Sequence, residues 1–189
     1  MPLRILKPDG TGTAWLLAQA IRYAVADNAS VVNMSYSVSK RSLLIDNVLD
    51  LVTSLAPSPV MVAAAGNNGP STTMEYPAAE QKPGLLAVAA STQADTLAEF
   101  STHGPWVDVA APGEGILSCV PTNNYATWSG TSMSAPLVAG TVALVRARYP
   151  TLSAAQVIAR IVNESAIIAG SVPHRVDAAR AVGLPPASQ

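Results

Sequence analysis

The chain has 189 residues, of which 49% are apolar and 12% are charged, and its formal net charge is −1. This size and composition predict one soluble domain with a large apolar core. Because the net charge is so small and every apolar run is too short to span a bilayer, we expect neither nucleic acid nor a membrane as partner. No basic segment followed by an apolar segment marks a signal peptide at Met1.

Strand and helix patterns alternate along the first third of the chain. The predicted elements are a strand at 3–6, a helix at 11–26, a strand at 31–35, a helix at 41–56 and a strand at 60–65. The strand at 31–35 begins with continuous apolar residues, so we expect it to be buried on both faces. The helix at 41–56 has a predicted apolar stripe of Leu44, Val48, Leu51, Val52 and Leu55. This alternation of strands and helices predicts a parallel sheet with right-handed crossovers.

The remaining chain continues the same alternation. It contains predicted strands at 84–90 and 107–110, a strand-like run at 116–120, a nearly all-apolar helix after Ser132, an amphipathic helix capped by Ser153 and a short helix at 177–180. The predicted fold class is α/β, a mostly parallel sheet with helices on both faces. Cys119 is the only cysteine, which excludes an internal disulfide, and its apolar neighbours predict a small buried residue.

One motif, residues 129–136, is more specific than any other stretch. It reads Ser-Gly-Thr-Ser-Met-Ser-Ala-Pro and leads into Leu-Val-Ala-Gly. A glycine turn would deliver the Ser132 hydroxyl to the first turn of a helix, where free N–H groups favour negative charge. Pro136 is expected in that same first turn. Ser and Thr also cap ordinary helices, but the whole motif resembles the nucleophile motif of subtilisin-like serine peptidases.

The resemblance implies a three-layer α/β fold and a peptidase chemistry for two residues. In that family, the serine that matches Ser132 attacks the peptide carbonyl. Asn67 follows Ala-Ala-Gly, as does the family asparagine whose amide stabilises the tetrahedral oxyanion. Taken alone, Asn67 could equally be a turn residue of Gly-Asn-Asn-Gly. An α/β-hydrolase elbow is disfavoured, because Ser134 stands where that motif needs glycine.

The same resemblance implies a substrate pocket. Its walls would be Ser35, Tyr36 and Ser37 on one side and Ala64, Ala65 and Gly66 on the other. The first wall would pair with an extended substrate by strand addition, although Tyr36 and Ser37 replace the Leu and Gly of the family. Glu75 precedes Tyr-Pro and matches a position at the pocket base, where a carboxylate would favour Lys or Arg before the cut. A solvated loop charge is the alternative interpretation of Glu75.

The family's catalytic Asp and His have no counterpart in these residues. His103 and His174 are the only histidines, and both match positions that are not catalytic in the family. A serine hydroxyl is a poor nucleophile without a histidine base and an orienting carboxylate. The resemblance covers residues 3–182 and begins after the family's first third. We therefore expect residues 1–189 to be the C-terminal two-thirds of one subtilisin-like domain, truncated at its N-terminus and inactive alone.

Three explanations follow from that expectation. The chain is a fragment of a longer secreted or extracytoplasmic peptidase, which we favour, or a non-catalytic relative that binds peptides, or one half of a split enzyme. The expected partners are a peptide or protein substrate and the missing N-terminal segment or a propeptide. No cofactor is expected. Some relatives bind calcium weakly through carbonyls near 76–82, but this loop differs and we predict no metal.

Overall fold

A six-stranded sheet forms the centre of the structure. The structure is a computed structural model that describes residues 1–69, 73–169, 172 and 174–185. The strands are β1 (Val31–Met34), β2 (Val60–Ala64), β3 (Leu85–Ser91), β4 (Val109–Pro112), β5 (Ile116–Val120), β6 (Asn124–Trp128), β7 (Ala166–Ile167) and β8 (His174–Arg175). Across the large sheet the order is β1-β2-β3-β4-β8-β7, and every pair is parallel except β7 with β8. Strands β5 and β6 form a separate antiparallel hairpin.

Helices cover both faces of this sheet. They are α1 (Ala14–Ala26), α2 (Leu43–Thr53), α3 (Thr131–Arg148), α4 (Ala154–Asn163) and α5 (Ala178–Ala181), with a 3-10 turn at Ala78–Glu80. Successive side chains of a strand point to opposite faces. In β2, Met61 and Ala63 therefore join the core under α1 and α2, whereas Val60 and Val62 join the core under α3 and α4. The predicted α/β class with a mostly parallel sheet is confirmed.

The helix starts follow the sequence closely. Thr13 caps α1, Asp177 caps α5, and Ser153 forms a full capping box with Gln156 at the start of α4. In each case a side-chain oxygen accepts a hydrogen bond from an N–H group that the helix itself leaves unpaired. Of these three caps, Ser153 was the one predicted from the sequence.

Three predictions about the first part of the chain are wrong. Residues 3–6 do not form a strand, because among the described residues their pairing is limited to a single bridge from Leu6 to Gly12. Strand β1 is only partly buried, since it lies at the edge of the sheet and no described strand pairs with its outer side. In α2 the buried apolar face contains Ile45, Val48, Leu49 and Val52, whereas Leu44, Leu51 and Leu55 are exposed. The face is set by packing against α1 and the sheet.

Two predictions about the later part of the chain are also wrong. Cys119 is exposed, because the β5–β6 hairpin pairs only with itself and turns the face with Leu117, Cys119 and Tyr125 away from the core. Pro136 is not in the first turn of α3 but is its sixth residue, inside the helix. The helix starts at Thr131 and continues through the proline, which removes one backbone donor from the helix.

Candidate active site

The Ser132 hydroxyl lies at the start of α3, facing the end of β1. Ser132 is the second residue of the helix and is partly buried. Its Oγ lies 3.4 Å from the carbonyl oxygen of Ser35, to which it donates. The N–H of Ser132 is among the first four of the helix, which have no intrahelical acceptor. The nucleophile predicted from the motif is therefore placed beside the predicted substrate-binding strand.

Pro136 explains how the turn around Ser132 is attached to β1. In an uninterrupted helix the N–H of residue 136 would bond to the carbonyl oxygen of Ser132, but proline has no N–H. The Ser132 carbonyl instead accepts a hydrogen bond of 2.9 Å from the Ser35 hydroxyl. Asn33 Nδ2 donates to that hydroxyl at 3.0 Å. Because of the proline, the Ser132 carbonyl is free to accept a hydrogen bond from Ser35, and this bond connects the first turn of α3 to the end of β1.

Asn67 is held in one orientation by Thr131. Its Oδ1 accepts the backbone N–H of Thr131 at 2.9 Å and the hydroxyl of Thr131 at 3.0 Å. The Thr131 hydroxyl also accepts the N–H of Gly66 at 3.1 Å, so one buried threonine positions both segments. Because Oδ1 is bonded twice, Nδ2 is the part of the amide left to donate; a Cβ placed on Gly130 would lie 3.4 Å from Nδ2 and 3.7 Å from Oδ1. Thr131 was missed from the sequence, although the motif contains it.

The two predicted pocket walls follow the carboxyl ends of two neighbouring strands. Strands β1 and β2 are parallel neighbours, with Met34 paired to Ala63, so residues 35–37 and 64–66 follow at adjacent carboxyl ends. Ala64, Ala65 and Gly66 are buried, Ser35 is exposed, and Tyr36 and Ser37 are partly buried. Carboxyl ends of parallel strands are the usual place for ligands in open α/β sheets. The structure therefore brings all six residues together.

Glu75 lies against Gly66 and is almost completely buried. Only 2% of the residue is exposed, so the alternative of a solvated loop charge is wrong. Its Oε1 accepts hydrogen bonds from Ser39 Oγ, at 3.1 Å, and from Asn68 Nδ2. A Cβ atom placed on Gly66 would lie 2.7 Å from Glu75 Cγ. The carboxylate is therefore directly beside one wall of the predicted pocket.

Neither histidine is a base for Ser132. His103 Nδ1 lies 3.3 Å from the Ser101 carbonyl oxygen, and His174 Nδ1 lies 2.8 Å from the Ser165 hydroxyl. In the described residues, the hydrogen bonds of the Ser132 side chain and carbonyl go to Ser35 alone. The site thus holds a candidate nucleophile and a candidate oxyanion donor, but the described chain places no general base beside them.

Ion pairs connect the loop at 76–82 to Arg41 and to α2. Glu80 is buried and bonds to Arg41 Nε at 2.8 Å. Burial raises the pKa of the Glu80 carboxyl, although Arg41 opposes the shift. Lys82 bridges Asp46 and Asp50 at 2.6 and 2.7 Å.

Within the described ranges no cluster of three or more His, Cys, Asp or Glu residues could hold a metal ion. No described helix is long and apolar enough to cross a membrane.

Comparison with known proteins gives a consistent family. The sequence model described as "Subtilase family" matches residues 1–183. The chain is 43% identical over 145 residues to the thermophilic serine proteinase of Bacillus sp. (strain AK1), which covers 77% of this chain and 35% of that protein. It is 37% identical over 162 residues to subtilisin DY of Bacillus licheniformis, covering 84% of this chain and 58% of the relative.

A solved structure shows the same fold. A cold adapted subtilisin-like serine proteinase matches with a TM-score of 0.81 and 28% identity, over 92% of this chain and 63% of the other. The chain therefore spans between about a third and two-thirds of the length of the relatives described here.

Proposed function

The chain belongs to the subtilase family, and from this we propose that it supplies the nucleophile, the oxyanion donors and the substrate-binding strands of a serine endopeptidase. The general base and its orienting carboxylate come from polypeptide outside these 189 residues. The observation that carries the proposal is the juxtaposition of Ser132, Ser35 and Asn67. The substrate is a peptide or protein, and the complete enzyme acts outside the cytoplasm, as the family resemblance implies.

The proposed reaction is acyl transfer to Ser132. The external histidine takes the Oγ proton as the Oγ–carbon bond forms, and the carbonyl electron pair moves to oxygen. That oxyanion accepts hydrogen bonds from Asn67 Nδ2 and from the backbone N–H of Ser132. The histidine then protonates the leaving amine, and water releases the acyl group by the same steps. The backbone of residues 35–37 holds the substrate as an added strand.

Labelling with a fluorophosphonate tests this proposal. We expect slow labelling of the chain alone, because a serine without its base reacts poorly. Addition of an N-terminal segment of a relative that carries the Asp and His should accelerate labelling, with the adduct mapped to Ser132. Ser132→Ala should abolish the adduct, whereas Ser134→Ala should retain it, because Ser134 Oγ bonds to the buried Ala111 carbonyl instead.

No labelling with the segment, together with peptide binding along residues 35–37, would support the non-catalytic relative instead. A fragment and a split enzyme both predict labelling, so the coding sequence upstream of Met1 distinguishes those two explanations.

The buried position of Glu75 predicts which substrate residue is preferred on the N-terminal side of the cleaved bond. In the completed enzyme, we expect a higher kcat/KM after Arg or Lys than after Phe, because a buried carboxylate beside the pocket wall attracts a cationic side chain. Glu75→Gln should remove most of this preference. The ratio of kcat/KM after Arg or Lys to kcat/KM after Phe should fall by roughly tenfold or more, since one charge-assisted contact is worth about 1.5–3 kcal/mol. Paired peptides that differ only at this position measure the effect.

Asp50→Asn is the control, because this exposed α2 carboxylate pairs with Lys82 and does not contact the predicted pocket. Equal or better cleavage after Phe by the unmodified enzyme would show that Glu75 only supports the loop through Ser39 and Asn68.

A further inference from the structure

A cavity of about 690 Å³ lies at the opposite end of the sheet from Ser132. It is bounded by the turn before β1, the turn before β2 and the last turns of α3. The lining residues are Val25, Asn28, Ala29, Ser30, Leu55, Ala56, Pro57, Ser58, Pro59, Ala143, Arg146, Ala147 and Pro150. Its volume falls within the range of about 300–1,000 Å³ that small-molecule sites occupy. No residue of the predicted substrate pocket lines this cavity.

Arg146 is the charged residue in the lining, and no carboxylate of the described chain pairs with it. Its Nη2 donates to the Ser58 carbonyl at 2.7 Å, which leaves the positive charge without an anion. In the described chain Nε is buried and has no hydrogen-bond partner, and no carboxylate lies within ion-pair distance of the guanidinium. Burial lowers the pKa of Arg146, as expected for a cation that has lost water without gaining a counter-ion.

The other walls of the cavity combine apolar side chains with the polar residues Asn28, Ser30 and Ser58. Val25, Leu55 and Pro57 contribute aliphatic surface, and alanines line the α3 side. A partly desolvated cation is costly unless an anion pairs with it. A guanidinium pairs best with a carboxylate, in a two-pronged arrangement. An apolar body attached to that carboxylate would cover the aliphatic walls.

The charge of the ligand is limited by the neighbouring helices. The C-terminal turns of α1 and α3 both border the cavity, at Val25 and Ala147. Helix C-termini carry partial negative charge, which partly offsets the charge of Arg146 in the last turn of α3 and disfavours a multiply charged anion such as phosphate more strongly than a single carboxylate. A single carboxylate on one arginine is the better match.

We propose that this cavity, which we call the Arg146 cavity, binds a small monocarboxylate with an apolar body, such as a medium-chain alkanoate. The inference is independent of the proposed peptidase function, because it uses no residue of the Ser132 site. A bound carboxylate would bridge the turns before β1 and β2 to the end of α3, and would stabilise the fold in proportion to its occupancy.

Titration of the 189-residue chain with octanoate tests the proposal, with octanamide as the neutral ligand of matched shape. By calorimetry or NMR we expect octanoate to bind at least tenfold more tightly than octanamide. Arg146→Met should weaken octanoate binding about 10- to 100-fold, because a charge-assisted pair is worth roughly 1.5–3 kcal/mol, and should leave octanamide binding nearly unchanged. Arg148→Met is the matched control in the same turn of α3, since Arg148 lies over the Tyr149 ring and outside the cavity.

A second variant guards against misfolding of Arg146→Met. Ala143→Phe keeps Arg146 and its bond to Ser58 but places a bulky ring in the cavity, so it should weaken binding of both ligands while the thermal unfolding curve stays cooperative. Equal affinity for octanoate and octanamide, or octanoate binding that survives Arg146→Met, would overturn the carboxylate assignment. Absence of octanoate binding at millimolar concentration would overturn the site itself.

Discussion

Asn67→Asp is expected to separate catalysis from stability at the Ser132 site. The carboxylate keeps an oxygen for the two hydrogen bonds from Thr131, so the free energy of unfolding should change by less than about 0.5 kcal/mol. The second oxygen replaces the Nδ2 donor and repels the developing oxyanion. In the completed enzyme kcat should therefore fall by about 100- to 1,000-fold or more, with KM little changed. That magnitude is the one known for loss of the corresponding donor in a subtilisin, not a value read from this structure.

Asn67→Ala is the comparison that makes this test specific. Alanine removes the donor and also the acceptor of both Thr131 hydrogen bonds, so kcat should fall and the protein should lose about 1–2 kcal/mol of stability. Asn47→Asp, on the exposed side of α2, should change neither quantity. Urea unfolding of the chain and steady-state kinetics of the completed enzyme give the two measurements. Retention of kcat within tenfold in Asn67→Asp would remove Asn67 from the oxyanion site.

Gly66→Ala is expected to destabilise the chain by about 2–5 kcal/mol, for two separate reasons. The backbone φ of Gly66 is +105°, a region that costs a side chain roughly 1–2 kcal/mol. The new Cβ would also lie 2.7 Å from Glu75 Cγ, and overpacking of this kind typically costs about 1–3 kcal/mol. Because Gly66 is buried in the pocket wall, the substitution should also displace Glu75.

Gly10→Ala separates the two contributions. Gly10 has a φ of +78°, but no atom lies within 4 Å of the position that a Cβ would take there, so this variant should show the backbone effect alone. The second comparison is Gly66→Ala in a Glu75→Gly background, where the contact with the Glu75 side chain is absent. Unfolding midpoints in urea supply all the free energies. If Gly66→Ala destabilises no more than Gly10→Ala, then Glu75 does not press against the pocket wall.

Local patterns predicted much of the fold because they act within one turn or one strand. The fully buried β2 and β3 were evident as continuous apolar runs, and the cap residue Ser153 marked the start of α4. Patterns failed where burial depends on a distant neighbour. The apolar start of β1 resembles that of a central strand, yet β1 is the sheet edge, and the apolar run containing Cys119 lies in an exposed hairpin.

By itself, the sequence determined the family, the α/β class and the candidate nucleophile, because the motif around Ser132 is local and specific. Only the tertiary structure showed that Thr131 orients Asn67, that Glu75 is buried against Gly66 and that Arg146 lacks a counter-ion within the described chain. Thr131 and Asn67 are 64 residues apart in the chain, and Arg146 and the carbonyl that it contacts, that of Ser58, are 88 residues apart. Their contacts are set by packing, which no local pattern encodes.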